Sequence, residues 1–121
     1  MKTSGNTILI TGAANGIGLE IAGLSSQKNN KVIMADRSID QLKTEAAKLD
    51  NVVTITVDLT DENDVNKLIQ TIKLNHSELN IAILNACAAM TTPFIATNMI
   101  WNMQSRRLTP TILQMSDLPT L

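Results

Sequence analysis

Short, nearly unbroken apolar runs alternate along this chain with longer stretches of helical periodicity. Thr7-Ile8-Leu9-Ile10, Lys31-Val32-Ile33-Met34-Ala35-Asp36, residues 52–57 and Asn80-Ile81-Ala82-Ile83-Leu84-Asn85-Ala86 are the apolar runs. Their length and lack of polar alternation suit strands covered on both faces, the condition of a parallel sheet. The first intervening helix, about 16–28, places Ile17, Ile21 and Leu24 on one face, although Gly23, Ser25 and Ser26 are poor interior helix residues. Asn29 or Asn30 ends it in a left-handed conformation. The second helix opens with Ser38 and Gln41 as a capping box and buries Leu42, Ala46 and Leu49. The third, about 60–75, takes Thr60 as its N-cap and turns Val65, Leu68, Ile69 and Ile72 inward.

Strands alternating with helices predict an α/β protein with a Rossmann-like, doubly wound parallel sheet. Right-handed crossovers give the strand order 3-2-1-4. The pattern fades after Phe94. Residues 101–121 align Leu108, Ile112 and Met115 on a helix, but Pro110 and Arg106-Arg107 interrupt it, so 95–121 reads as a divergent C-terminal segment. With no further strand predicted, the fourth strand is expected to keep an open edge through which the chain self-associates.

A length of 121 residues suits one domain with a modest core, here 1–121. The net charge of −1 and the absence of a basic stripe argue against nucleic acid as a partner. No apolar stretch reaches the length of a membrane span, and the first six residues lead into a strand without a signal-peptide pattern. Cys87 is the single cysteine, so no internal disulfide forms and the expected compartment is the reducing cytoplasm. No metal-ligand cluster is evident.

The candidate chemistry lies in Thr11-Gly12-Ala13-Ala14-Asn15-Gly16-Ile17-Gly18, between the first strand and the first helix. Glycines let the backbone take positive φ and let N–H groups approach phosphate. The following helix N-terminus adds unpaired donors and partial positive charge. Such a turn binds a nucleotide pyrophosphate. Asp36, at the end of the second apolar run, stands at the spacing from Gly18 at which a carboxylate reaches the adenosine ribose hydroxyls.

The spacing Gly-x-x-x-Gly-x-Gly, with Thr11 before it and Asn15 inside it, resembles the short-chain dehydrogenase/reductase family. Asp36, Asp58 after the third run and Leu84-Asn85-Ala86-Cys87 extend the resemblance. In the last segment Leu84 and Cys87 replace the first Asn and the Gly of the family's Asn-Asn-Ala-Gly. The opening residues from Thr3 to Gly12 also resemble the branch associated with D-alanine esterification of teichoic acids. The resemblance implies an N-terminal, incomplete NAD(P)-binding Rossmann domain. Its cofactor-binding residues would be Gly12, Asn15, Gly16, Ile17, Gly18, Asp36, Arg37, Asp58, Leu59, Asn85 and Ala86. The ligand it implies is NAD, with NADP as the alternative, since Asp36 repels a 2′-phosphate while Arg37 attracts one. In the family a serine and a Tyr-x-x-x-Lys pair carry out the acid–base step. This sequence contains no tyrosine, so no catalytic residue is assigned. Asn98 and Asn102 fall out of register with the family's helical asparagine.

Each of these residues also has a purely structural reading. Asp36 can open the turn before Ser38, Asp58 can serve the start of the third helix, and Asn85 can satisfy its own loop. Cys87 reads as an inert small core residue, His76 as a cation compensating a helix C-terminus, and the methionines as gap fillers. Two function classes stand side by side. One is the dinucleotide-binding part of an NAD(P)-dependent oxidoreductase, and the other a noncatalytic nucleotide-binding or protein-interaction module.

Overall fold

The computed structural model describes residues 3–85 and the backbone of 111–114. Its elements are β1 (Thr7–Thr11), α1 (Gly16–Gln27), β2 (Lys31–Asp36), α2 (Ile39–Ala46), β3 (Val52–Thr56), α3 (Glu62–Asn75), β4 (Ile81–Leu84) and β5 (Thr111–Gln114). The strands form one parallel sheet in the order β3-β2-β1-β4-β5, which contains the expected 3-2-1-4.

Alternation along each strand sorts the core into two layers. Ile8, Ile10, Val32, Met34 and Ile81 pack with Ala22 and Leu42 beneath α1 and α2. Leu9, Ile33, Ala35, Ala82 and Leu84 point the other way, onto Val65, Leu68 and Ile72 of α3. Two successive crossovers carry the chain outward from β1 to β3 on one face. α3 then returns across the opposite face to place β4 on the other flank of β1. Connections therefore diverge beyond the carboxyl ends of β1 and β4, and that divergence opens a crevice.

Four local expectations are corrected. In α1 the buried stripe is Gly18, Ala22 and Ser26, whereas Ile17 and Leu24 are 58% and 60% exposed. Small side chains at i, i+4 and i+8 let the helix lie close to the sheet, and the Ser26 hydroxyl donates to the Asp50 carbonyl. Ser38 occupies the N-cap of α2 but makes no side-chain capping bond; its N–H instead donates to Asp36 Oδ1 at 3.1 Å. The N-cap of α3 is Asp61, whose carboxylate accepts from Asn63 N–H at 2.9 Å, because Thr60 is turned back onto Asp58. Finally, residues 111–114 form a strand paired with β4 from Ile81↔Thr111 to Leu84↔Gln114, so that edge is occupied. The expected helix over 101–121 gives way there to ladder hydrogen bonds following Pro110, and the ground for association through β4 falls away. The rest of that segment, with Ala86, Cys87, Asn98 and Asn102, lies outside the described residues.

The amino end of the sheet is tied by polar side chains. Asn80 Oδ1 accepts from Thr7 N–H at 2.9 Å and its amide donates to Asn6 Oδ1, while Asn30 Oδ1 accepts from Asn6 N–H at 3.0 Å. Beside them Lys31 Nζ lies 2.9 Å from Glu78 Oε1 and 3.2 Å from His76 Nδ1. Burial, and then the Lys31 charge, hold the His76 imidazole below its ordinary value. The Lys31 hydrogen bond likewise lowers Glu78. Unfolded His76 takes up its proton near pH ~6.5 whereas the folded ring resists it, so its contribution is complete above that pH and declines as pH falls. The Glu78 contribution disappears only in more acid solution, below the ordinary carboxylate range. The urea midpoint is therefore expected to drop between pH 7.5 and 5.5 and to drop less in His76→Gln; equal slopes would contradict it.

Candidate functional site

β1 delivers the chain into the glycine turn at the mouth of the crevice. Gly12 and Gly16 have φ of 66° and 58°, the left-handed region that favours glycine. Asn15 is extended at the N-cap of α1 and makes no side-chain capping bond, and no acidic residue occupies the first helical turn. The first-turn N–H groups lack intrahelical partners by construction, and here no carboxylate competes for them. Gly18 serves differently. A Cβ at this position would collide with the Gly12 carbonyl oxygen and lie 2.6 Å from Asn85 Nδ2. Its role is to let α1 touch the turn.

Two further strands complete the mouth. Asp36 Oδ2 accepts from Ala14 N–H at 3.1 Å while Oδ1 accepts from Ser38, so one carboxylate links the glycine turn to the end of β2. Ala13 N–H donates to the Ala35 carbonyl at 3.2 Å, reinforcing the same junction. From β4, Asn85 N–H donates to Thr11 Oγ1 at 3.0 Å and its side-chain amide to the Gly12 carbonyl at 3.3 Å. At the end of β3, Asp58 Oδ1 accepts from the Thr60 N–H at 2.9 Å and the Thr60 hydroxyl at 2.6 Å. These bonds hold Asp58 below the usual carboxylate range against an opposing effect of burial, with the Arg37 charge as the smallest contribution in the same direction.

The result is an open cleft of about 450 Å³ lined by Gly12, Asn15, Gly16, Ile17, Asp36, Arg37, Val57, Asp58, Leu59, Thr60 and Asn85. Nine of the candidate residues thus meet around one space, with Gly18 buried behind it and Ala86 outside the described residues. Ile17, expected on the buried face of α1, is instead exposed at this cleft. Sequence reading passed over Val57 and Thr60 as lining residues, and Thr11 and Ala14 as supports. The Asp-x-Thr spacing of Asp58 and Thr60 was the available signal, since a short hydroxyl side chain two residues after an aspartate closes such a turn. Among the described residues no cluster suited to a metal is present, and no helix is long and apolar enough to cross a membrane.

Comparison with known proteins agrees with this geometry. The short chain dehydrogenase family matches residues 6–111. The uncharacterized oxidoreductase DltE of Bacillus subtilis is 35% identical over 86 residues, covering 71% of this chain and 34% of that protein. A short chain dehydrogenase from Bacillus anthracis superposes with a TM-score of 0.83 at 17% identity, over 93% of this chain and 55% of the other. A 3-ketoacyl-(acyl-carrier-protein) reductase from Brucella melitensis complexed with NADH gives 0.65 at 21% identity, over 87% and 49%. An L-sorbose reductase from Gluconobacter frateurii complexed with NADPH and L-sorbose gives 0.75 at 21%, over 88% and 51%. The chain spans about a third of the length of DltE and about half of these solved structures.

Proposed function

This chain belongs to the short-chain dehydrogenase family, and from that premise we propose that its cleft holds the adenosine diphosphate half of a nicotinamide dinucleotide. Residues 1–121 then belong to a single, incomplete dinucleotide-binding domain of an oxidoreductase, with 95–121 as a divergent segment. The observation that carries this reading is the Ala14 N–H to Asp36 carboxylate bond, which joins a turn open to phosphate to an acceptor suited to ribose. The residues fit the group. A side chain at Gly16 would meet nothing within 4 Å, so its left-handed backbone, rather than crowding, is what demands glycine beside that open space.

Asp36 has capacity to spare. Its two oxygens offer about four acceptor positions; backbone N–H groups of Ala14 and Ser38 take two, leaving others for the 2′ and 3′ hydroxyls. A 2′-phosphate would meet a negative charge instead, which favours NAD over NADP, with Arg37 acting in the opposite sense. Gly12, Asn15, Gly16 and Ile17 face the pyrophosphate side, Asp58 and Leu59 the adenine side, and Asn85 the nicotinamide side. When bound, the nicotinamide supplies hydride chemistry, and these residues bind and orient the remainder of the molecule. The second reading is a noncatalytic nucleotide-binding or protein-interaction module.

Calorimetric titration of the full chain with NAD and NADP tests the first reading, and expected is tighter binding of NAD. Asp36→Ala should weaken NAD about tenfold or more, from loss of hydrogen bonds to a charged acceptor, and narrow the preference. Tighter NADP binding by the unaltered chain would overturn the assignment. Steady NADH oxidation with a small carbonyl, lost in Gly18→Val, would exclude the noncatalytic reading and show that a group other than tyrosine moves the proton.

A further inference from the structure

One wall of the cleft is a continuous stretch, Val57 to Thr60, that carries the chain from β3 into α3. Val57 and Leu59 pack into the core with Val65 and Leu68 of α3, while Asp58 and Thr60 stay accessible at the opening. Much of the hydrogen bonding here is internal to the turn. Thr60 N–H and hydroxyl donate to Asp58 Oδ1, and Asp61 N–H donates to the Asp58 carbonyl at 3.1 Å. Such bonds set the shape of the turn but not its place in the cleft. Place is set by bonds to other elements: Val57 N–H donates to the Asp36 carbonyl of β2 at 3.0 Å, and Asp58 N–H donates to Asp64 Oδ2 of α3, also at 3.0 Å.

Asp64 is the third residue of α3 after its Asp61 N-cap, where an acidic or amide side chain ordinarily returns to the N–H of the cap itself. Here that N–H is already taken by the Asp58 carbonyl. The Asp64 carboxylate instead reaches past the cap to the N–H of Asp58. Asp64 is half-buried, does not line the cleft, and precedes the fully buried Val65, so the seating of α3 on the sheet fixes its backbone. Apolar packing of Val57 and Leu59 holds the wall against α3 without direction, whereas a hydrogen bond specifies distance and angle. Resting on the reading of the cleft as a dinucleotide site, we propose that Asp64 is a positioning residue for its adenine side. By holding the Asp58 N–H it fixes where the wall from Asp58 to Thr60 stands, and so governs affinity for a dinucleotide it does not touch.

The test compares Asp64→Ala with Asp64→Asn in the 121-residue chain. Ala removes the acceptor, whereas Asn removes the charge but keeps an oxygen at the same reach. Two readouts are taken: the NAD dissociation constant, corrected for the folded fraction given by urea denaturation, and amide hydrogen exchange at Asp58. Asp64→Ala is expected to weaken NAD about three- to tenfold, the scale of one hydrogen bond's net worth, and to release the Asp58 amide to exchange. Asp64→Asn should retain both the affinity and the protection. Should Ala fail to fold, Asp64→Ser takes its place, since serine suits a helix start but its hydroxyl stops short of Asp58. Corrected affinity unchanged by loss of the acceptor overturns the proposal, and so does an Asp58 amide that stays protected. Equal weakening in Ala and Asn also overturns it, because it would assign the effect to negative charge at the start of α3 rather than to the bond. In each of these cases the unaltered chain still binds NAD and the cleft assignment stands. An unaltered chain that binds no dinucleotide refutes both.

Discussion

Gly18→Ala is expected to destabilise the chain by about 2–4 kcal/mol and to abolish dinucleotide binding, a larger effect than the same change at Gly16. The added Cβ would strike the Gly12 carbonyl oxygen, which is backbone, and crowd Asn85 Nδ2 at 2.6 Å. Relief requires α1 to retreat from the turn, and forced overpacking of this kind costs about 1–3 kcal/mol before the bond from Asn85 to the Gly12 carbonyl is lost as well. Gly16→Ala meets open space but must hold φ near 58°, a conformational penalty of about 1–2 kcal/mol for an L-residue. Urea denaturation of the two variants, alongside NAD titration, separates these causes. Equal losses of stability would mean that conformation rather than contact governs both positions.

Asn30→Ala is expected to cost about 2–4 kcal/mol, while Asn29→Gly next to it stays within about 0.5 kcal/mol. Asn30 is buried and makes three bonds: Oδ1 accepts from Asn6 N–H, and the amide donates to the carbonyls of Thr3 and Ser25. Its truncation leaves the buried Asn6 N–H, and the Thr3 and Ser25 carbonyls of the part-buried bonds, without their partner. Asn29 is exposed with φ of 61°, a conformation glycine adopts freely. Asn30→Asp should also destabilise, since a carboxylate would face two carbonyl oxygens. Comparable urea midpoints for Asn30→Ala and the unaltered chain would contradict the assigned network.

The sequence by itself determined the alternation of strands and helices, the strand order through β4 and the glycine turn with Asp36 beyond it. Those features are local: period, turn chemistry and the handedness of crossovers are written in neighbouring residues. It also supplied nine of the residues that surround the cleft. What only the tertiary structure decided were properties that depend on distant contacts. Gly18, Ala22 and Ser26 became the buried face of α1 because small side chains admit close approach to the sheet, while the larger Ile17 and Leu24 were turned outward. Residues 111–114 became a strand because β4 offered a ladder, a partner about 30 positions away that no local periodicity around Pro110 reveals. Asn30 differed from Asn29 because only one of them meets Asn6, and Asp58 was brought to the same cleft as Arg37 by the pairing of β2 with β3. Local pattern specifies which element forms, whereas the identity of the atoms it meets is fixed when the sheet assembles.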